Sequence, residues 1–354
     1  MACANPLISF AIPTYNFGQF IGETILSILN GLTALTREDI EIVILDGGST
    51  DNTEDIIAKL ALNHPSIQYV KQPRRGGIDK DLDTVAGMTS GQYIWLFSAD
   101  DILVPGWDLK IKEALSFEPQ IILVPATLCT INVVPIREHP IFNFPKDGKI
   151  IGFSIGDEAF SEIDYLRRAN SLEALFSFMS AIIIKSDVWK KSASRSDYFG
   201  SCWAHCARLM PVLLGKAKLK YITSSLIQKR GENDSFMENG IVHRIGIAID
   251  GWTRLINEFF SAPESRRIMH AKLRHDISLP LLLYAKLVAT KGEEYRRLNF
   301  LARQHFYINS PTIGSVIAYF LFKLFPRSPF IHRVTTSFMP QLVKIRHKFR
   351  ELFW

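Results

Sequence analysis

The chain has 354 residues, of which 47% are hydrophobic and 21% charged, and its formal net charge is +6. This balance excludes a wholly disordered protein, because enough apolar material is present to form a core. The length fits one large α/β domain with an appendage, or two modest domains. Its four cysteines are too few and too scattered for a disulfide framework, which favours a reducing compartment on the cytosolic side.

The first hundred residues alternate between two kinds of apolar pattern. Short β-branched runs predict strands, and apolar residues at helical spacing predict the helices between them. Such alternation is typical of a mostly parallel sheet with helices on both faces, so we predict a doubly wound α/β core. The predicted strands are residues 8–12, 40–45, 67–70 and 93–97, and the predicted helices are residues 22–29, 53–62 and 81–88.

The pattern after residue 101 is less regular. Residues 135–160 are rich in Pro, Gly and Phe without a clear period, which predicts irregular structure. We expect this first domain, with its nucleotide-binding and catalytic parts, to occupy residues 1–235. Its remaining predicted strands are 121–125, 128–134, the end of 176–184, and 219–222, and its remaining helices are 109–115 and 198–214.

The second part of the chain, residues 236–354, is predicted to be a helical appendage. Residues 315–354 include seven basic residues and one acidic residue, and the basic residues alternate with apolar ones. Such helices can lie in a membrane interface or pack as a bundle on the first domain or a second subunit. No apolar stretch reaches the ~20 residues that span a bilayer, and no export signal is visible. The predicted helices are residues 241–260, 264–287, 293–306, 312–325 and 336–353.

Two adjacent acids follow the predicted strand at 93–97. Asp100 and Asp101 thus stand at the carboxyl end of a buried strand, the edge at which an open parallel sheet binds its ligands. Mg²⁺ and Mn²⁺ take hard oxygen ligands, commonly one or two carboxylates together with substrate phosphates. The pair is therefore a candidate metal site, although an isolated Asp-Asp also begins turns and caps helices.

Further polar residues follow the other strand ends. Asp46 is placed to accept hydrogen bonds from a base or ribose. Arg75 offers a guanidinium group for phosphate. Asp81 lies near a helix start, where the helix dipole favours an acid with or without a role in the site. Thr14, Tyr15 and Asn16 suit a nucleotide through backbone amides, a hydroxyl and an aromatic face. Pro13, which precedes them at the end of the strand, is a candidate nucleotide contact with Thr14 and Tyr15.

Four segments together resemble the motifs of one enzyme family. Residues 12–16, 46–51, 76–94 and 98–101 read IPTYN, DGGSTD, GGIDKDLDTVAGMTSGQYI and SADD. Over about its first third, the chain resembles the family 2 glycosyltransferases with the GT-A fold. The resemblance implies that the first two segments hold the nucleoside of a nucleotide-sugar and the acidic pair holds its ribose and metal. It implies Asp100 as a nucleotide contact and Asp101 as the ligand of Mn²⁺ or Mg²⁺.

The chain departs from this family in two places. Many relatives have an acid where this chain has Ser98, so fewer carboxylates are available for the metal. Relatives also usually carry a Glu-Asp pair late in the domain, whose second acid is the expected base, where this chain has Ser201 and Cys202. His205 is the nearest replacement as general base, with Asp197 behind it, because a group titrating near neutrality is efficient in proton transfer. A packed histidine is the alternative.

The segment RGENDSF at residues 230–236 follows the last predicted strand, where relatives have a mobile loop over the donor. Such a loop would exclude water and limit donor hydrolysis. Together with the residues Trp203, Ala204 and His205, this segment resembles bacterial O-antigen glycosyltransferases that transfer dideoxy sugars such as abequose.

We therefore predict a metal-dependent glycosyltransferase that moves a hexosyl or deoxyhexosyl group from a nucleoside-diphosphate sugar to an undecaprenyl-linked saccharide in lipopolysaccharide synthesis. The family implies inversion. We expect a cytoplasmic protein that contacts the inner face of the membrane through its C-terminal tail. The sequence leaves open whether the chain forms homo-oligomers. We expect no nucleic-acid partner. A nucleotidyltransferase or a nucleotide-sugar-binding scaffold without turnover are the alternatives.

Overall fold

A computed structural model describes residues 5–145, 147–155, 160–289 and 292–325. The chain forms two compact units, Met1–Asn233 and Asp234–Trp354. The helix predicted at 336–353 and most of the basic tail lie outside the described residues.

The first unit is built on an eight-stranded mixed sheet with the order β3-β2-β1-β4-β10-β6-β11-β9. Strand β1 pairs in parallel with β2 and β4, and β2 pairs in parallel with β3. Both β1 and β2 are buried along their whole length, which explains why they read as continuous apolar runs. The strands are β1 (Ile8–Thr14), β2 (Ile40–Asp46), β3 (Ile67–Lys71), β4 (Tyr93–Leu96), β6 (Ile121–Leu123), β9 (Ile150–Phe153), β10 (Ile182–Lys185) and β11 (Leu219–Ile222).

A second sheet of four short strands has the order β5-β12-β7-β8. Strand β8 of this sheet and strand β9 of the first sheet correct the prediction that residues 135–160 are irregular, because both lie there. Strand β8 is mostly exposed and β12 carries one large apolar residue, so neither produces an apolar pattern. The strands are β5 (Ile102–Leu103), β7 (Ala126–Cys129), β8 (Pro135–His139) and β12 (Ile227–Arg230).

Seven α-helices accompany the described strands of the first unit. The single helix predicted at 198–214 is shorter than expected. It begins at Ala204, because Gly200 and Cys202 have φ angles of 89° and 70°, which a right-handed helix does not admit. The helices are α1 (Gly18–Asn30), α2 (Thr53–Ala61), α3 (Ile78–Met88), α4 (Trp107–Leu115), α5 (Glu162–Arg168), α6 (Ser186–Lys191) and α7 (Ala204–Leu214).

The described part of the second unit is helical. One helix predicted at 264–287 is two helices, and the break lies before Pro280, which lacks a backbone N–H and therefore favours the first turn of a new helix. None of the described helices is both long enough and apolar enough to cross a membrane. The helices are α8 (Ile241–Phe259), α9 (Pro263–Asp276), α10 (Leu279–Val288), α11 (Glu293–Arg303), which continues as a π-helix (Gln304–Ile308), and α12 (Ile313–Leu324).

An aromatic cluster packs beneath the carboxyl ends of β1 and β4. Trp95 stacks on Phe10 with ring centroids 5.0 Å apart and meets Trp107 edge-on at 5.4 Å. All of these rings are fully buried. The indole N–H of Trp95 also donates to the Ser180 carbonyl oxygen at 2.7 Å. The core therefore fixes the position of Ser180, whose hydroxyl contacts the acidic pair.

Candidate active site

The acidic pair lies in a largely buried turn after β4. The Ser180 hydroxyl donates to one oxygen of Asp101 at 2.6 Å, and the Arg230 backbone N–H donates to the other at 3.1 Å. Asp100 accepts from the Ser98 hydroxyl and the Asn233 side-chain amide. Asp101 is 1% exposed and Asp100 8%, so Asp100 is the more accessible acid.

Burial dominates the electrostatics of this pair. It raises the pKa of Asp101 to about 8, with the charge of Asp100 adding to the shift and Ser180 and Lys229 opposing it. The pKa of Asp100 is also raised by burial, against the hydrogen bonds from Ser98 and Asn233. Two adjacent buried carboxylates with raised pKa values would be stabilised as anions by a cation.

The donor chemistry of this pair fits a divalent metal. Carboxylate oxygens are the ligands that Mg²⁺ and Mn²⁺ take. Within residues 5–325, as far as they are described, no group of three or more His, Cys, Asp or Glu side chains could hold a metal. The protein would therefore supply two carboxylates, and the phosphates of a substrate and water would complete the coordination sphere.

Arg230, at the end of β12, braces the turn that carries the acids. Its Nε donates to the Asp100 backbone carbonyl at 2.9 Å, and its Nη2 donates to Glu23 at 2.6 Å. The guanidinium also lies 4.6 Å from the Phe20 ring centroid. The sequence pattern indicated a loop in this segment but not these contacts, which link residues more than a hundred positions apart.

Asp46 organises the loop after β2. One carboxylate oxygen accepts from the backbone N–H and the hydroxyl of Ser49, each at 2.7 Å, and the other accepts from the Tyr69 hydroxyl at 2.7 Å. The side chain is fully buried. Its contact with a nucleoside remains a prediction.

The other residues predicted to contact a nucleotide gather at the same edge. The Arg75 guanidinium lies 4.5 Å from the Tyr15 ring centroid. Asp81 is buried and accepts from the Gln72 amide at 2.9 Å. The buried Thr14 hydroxyl lacks a hydrogen-bond partner in the described structure. Pro13 directly precedes it and pairs with Leu45 in the sheet.

Gly47 allows these groups to approach one another. An added Cβ at this position would lie 3.4 Å from Arg75 and 3.5 Å from the Asp81 carboxylate. Its backbone N–H donates to the Thr14 carbonyl oxygen at 2.9 Å, which ties the end of β1 to the end of β2. The strand ends thus bring together an aromatic ring, a guanidinium, a carboxylate and an unpaired hydroxyl.

His205 lies in the first turn of α7 and is half-buried. Its Nε2 is 2.9 Å from the Phe176 carbonyl oxygen. Because a carbonyl oxygen only accepts, Nε2 carries the proton and the neutral ring offers Nδ1 as a proton acceptor. Burial lowers the pKa of His205, while the charge of Asp79 and the hydrogen bond to Phe176 oppose the shift. The imidazole is therefore neutral at pH 7.

Asp79 is the carboxylate whose charge acts on His205, and the supporting role of Asp197 stays a prediction. Asp79 is buried and accepts from the backbone N–H groups of Gly200 and Cys202 at 2.8 Å and of Ala204 at 3.0 Å, so it caps α7. Asp197 instead forms a bidentate pair with Arg195 at 2.9 and 2.8 Å and is half-exposed. No local pattern in the sequence indicated these partners of Asp79.

Comparison with known proteins adds to this geometry. Residues 9–171 match the sequence model of glycosyl transferase family 2. Over 257 residues the chain is 31% identical to abequosyltransferase RfbV of Salmonella typhimurium, which covers 72% of this chain and 76% of that protein. The chain belongs to glycosyl transferase family 2. The predicted family and the resemblance to an abequosyltransferase are confirmed, and the chain is a transferase enzyme.

Other family 2 relatives match a smaller part of the chain. Chondroitin synthase of Pasteurella multocida is 37% identical over 111 residues, which are 31% of this chain and 11% of that much longer protein.

Solved structures confirm the predicted GT-A fold. S. aureus TarS 1-349 in complex with UDP-GlcNAc superimposes with a TM-score of 0.56 at 13% identity, covering 90% of each chain. The mannosyltransferase PcManGT from Pyrobaculum calidifontis in complex with GDP-Man and Mn²⁺ superimposes with a TM-score of 0.50 at 14% identity, covering 94% of this chain and 84% of that one. At sequence identities this low, the structural similarity shows the fold alone.

Proposed function

We propose that this family 2 enzyme is a metal-dependent, inverting glycosyltransferase that uses a nucleoside-diphosphate sugar in the synthesis of a surface polysaccharide. The observation that carries the proposal is the buried pair Asp100 and Asp101 at the edge where Thr14, Tyr15 and Arg75 also converge. An acidic pair of this kind suits a diphosphate only when a cation lies between them.

Asp100 and Asp101 would hold the Mn²⁺ or Mg²⁺. When bound, the ion would neutralise charge developing on the departing nucleoside diphosphate. The structure favours Asp100 as the direct ligand, because it is the more accessible acid and both oxygens of Asp101 accept hydrogen bonds from buried groups. Asp101 would then hold the turn and contribute charge. The sequence resemblance implied instead that Asp101 is the metal ligand and Asp100 a nucleotide contact.

The nucleotide would lie along the edge formed by β1 and β2. The Tyr15 ring offers a stacking face, and the unpaired Thr14 hydroxyl offers a hydrogen bond. Arg75 is exposed and lies over Tyr15, from which it can reach a phosphate. We assign Asp81 and Asp46, with the Pro13 backbone, to the base and ribose.

His205 would act as the general base. Its unprotonated Nδ1 can take the proton of the acceptor hydroxyl as that oxygen attacks the anomeric carbon of the donor sugar. The bond from the sugar to the diphosphate breaks as the new bond forms on the opposite face, which inverts the anomeric centre. Asp79 positions His205 by capping α7.

The name of the relative, abequosyltransferase RfbV, favours abequose or a similar dideoxy sugar as the transferred group. The resemblance of residues 203–205 and 230–236 to O-antigen glycosyltransferases favours an O-antigen acceptor. Such an acceptor is built on a lipid carrier, and we therefore propose a lipid-linked saccharide substrate and contact with the cytoplasmic face of a membrane through the C-terminal region.

Calorimetric binding of UDP, GDP, CDP and dTDP, each with Mn²⁺ and with EDTA, tests the proposal. We expect one nucleotide to bind tightly with Mn²⁺ and at least tenfold more weakly in EDTA, since Asp100 and Asp101 would repel a diphosphate whose charge no cation neutralises. That nucleotide would name the donor class. Equal binding in Mn²⁺ and EDTA would remove the metal from the proposal, and no binding at all would contradict the nucleotide site.

A further inference from the structure

A helix of the second unit presents an apolar stripe to solvent. Helix α12 carries five large hydrophobic side chains whose exposed fractions lie between 53% and 83%. They recur at helical spacing, so they lie on one face. Single exposed leucines are ordinary, but a contiguous apolar face marks an interaction site. The residues of this α12 face are Ile313, Ile317, Phe320, Leu321 and Leu324.

An open groove of about 560 Å³ adjoins the α12 face, between α12 and the end of α11. Four aromatic residues line it, Phe300, Tyr307, Tyr319 and Phe320. The ring centroids of Tyr307 and Tyr319 are 5.3 Å apart. Two cations, Arg303 and Lys323, line it as well. Within the described part of the chain, neither cation forms an ion pair. The groove thus combines an apolar wall with unneutralised positive charge.

Helix α12 is firmly attached on its other side. Phe322 is fully buried, and the buried ammonium group of Lys286 donates to the carbonyl oxygens of Phe322 and Phe325 at 2.6 and 2.9 Å. A cation at a helix C-terminus is favoured by the helix dipole. The exposed stripe is therefore the outer face of a packed and capped helix.

We propose that the α12 face and its groove bind the surface of an anionic lipid bilayer. The apolar stripe would enter the membrane interface, and Arg303 and Lys323 would contact lipid phosphate groups. Charge favours this occupant, because residues 326–354 directly after the helix add six basic residues and one acid. A second copy of the chain is disfavoured, because symmetric pairing would bring the same unpaired cations together.

This inference rests on the proposed function in one respect, since a lipid-linked acceptor would bring the enzyme to a bilayer. The groove lies entirely within the second unit, whereas the acidic pair and His205 lie in the first. Membrane binding and nucleotide binding can therefore be measured separately on the full chain.

Sedimentation of the full chain with phosphatidylcholine vesicles, with and without phosphatidylglycerol, tests the inference. We expect binding that requires phosphatidylglycerol and weakens at high salt. The variant Ile317→Glu/Leu324→Glu should bind these vesicles at least about tenfold more weakly than the parent chain. The variant Arg303→Gln/Lys323→Gln should lose about thirtyfold on anionic vesicles.

Leu62→Glu is the matched control, because Leu62 is 84% exposed but lies in the first unit. It should leave vesicle binding unchanged, and all variants should keep the parent melting temperature and nucleotide affinity. Parent-like binding by both α12 variants would overturn the inference and place the contact elsewhere, residues 326–354 included.

Two further results would also overturn it. One is equal binding to neutral and anionic vesicles. The other is a dimer of the parent chain in sedimentation velocity that becomes a monomer in Ile317→Glu/Leu324→Glu, while vesicle binding stays unchanged. That result would make the α12 face a self-association surface. Vesicle binding by a chain that binds no nucleotide would instead count against the proposed function alone.

Discussion

Asp100 and Asp101 are neighbours in sequence but differ in the groups that contact them. Asp101 accepts from two buried donors, Ser180 and the Arg230 N–H, whereas the partners of Asp100, Ser98 and Asn233, are only half-buried. Removing an acceptor from a buried donor costs its full desolvation penalty, while a half-buried donor can turn to water. The two acids should therefore differ in their effect on stability.

Asp101→Ala should lower the free energy of unfolding by roughly 1–3 kcal/mol more than Asp100→Ala does, since two buried donors lose their acceptor, whereas relief of the repulsion between the two acids is common to both variants. Asp100→Ala should change it by less than about 1 kcal/mol, because loss of its hydrogen bonds is offset by relief of repulsion with Asp101. Both variants should lose Mn²⁺-dependent nucleotide binding. Denaturant unfolding and calorimetry measure the two effects, and a stable Asp101→Ala protein would contradict this division of roles.

His205→Ala should lower the transfer rate by a factor of about 10²–10⁴ with nucleotide affinity unchanged, as expected for loss of a general base. Because the pKa of His205 is lowered, the acidic limb of the wild-type rate profile should lie below pH 6.5 and be absent in the variant. The control is Asp197→Asn, which alters an exposed ion pair. Equal losses in the two variants would contradict the assignment of His205.

Among the described residues of the second unit, His270 and His305 are buried and no described acid raises their pKa. Burial, with the charges of Arg274 and Arg266, lowers the pKa of His270 to about 4. Burial also lowers the pKa of His305 to about 3, although its Nε2 donates to the Ile277 carbonyl oxygen at 2.8 Å. Both rings stay neutral in the native state at pH 5, whereas they take up protons in the unfolded state below about pH 6.5.

The helices that hold these rings should therefore lose stability on acidification. Between pH 6.5 and 5, the unfolded state binds more protons than the native state, so each ring removes about 2 kcal/mol as the pH falls. His305→Gln should reduce the loss of unfolding free energy between pH 6.5 and 5 by about 2 kcal/mol. The exposed His275 on α9 provides the control, since His275→Gln should leave the slope unchanged. An unaltered slope in His305→Gln would refute this explanation.

Strands and helices differ in how well the sequence predicts them. Strands β1, β2 and β4 are buried on both faces, so their apolar runs are visible in the sequence and their ends point to Asp46 and to Asp100 with Asp101. Strand β12 reads as polar, because its place is set by pairing with β7 and β5. Its Arg230 was accordingly not predicted as a brace of the acidic turn.

At the scale of the whole chain, the site is assembled across long sequence separations. Asp79 binds backbone groups of residues 200–204, and Asn233 reaches Asp100. Local sequence patterns carry no information about such distant pairs. The rule that parallel strands end at one edge of the sheet applies without knowledge of these pairs, so it still predicts where the site lies. The sequence therefore indicated the edge and its acids, but not the residues that hold them in place.

The most direct test is release of nucleoside diphosphate from nucleotide-sugars by the full-length chain, with a saccharide acceptor, in Mn²⁺ and in EDTA. We predict release from one class of donor that requires Mn²⁺, is abolished in Asp100→Ala, and is reduced at least a hundredfold in His205→Ala. Release that is equal in EDTA, or that persists in Asp100→Ala, would contradict a metal-dependent transferase centred on the acidic pair.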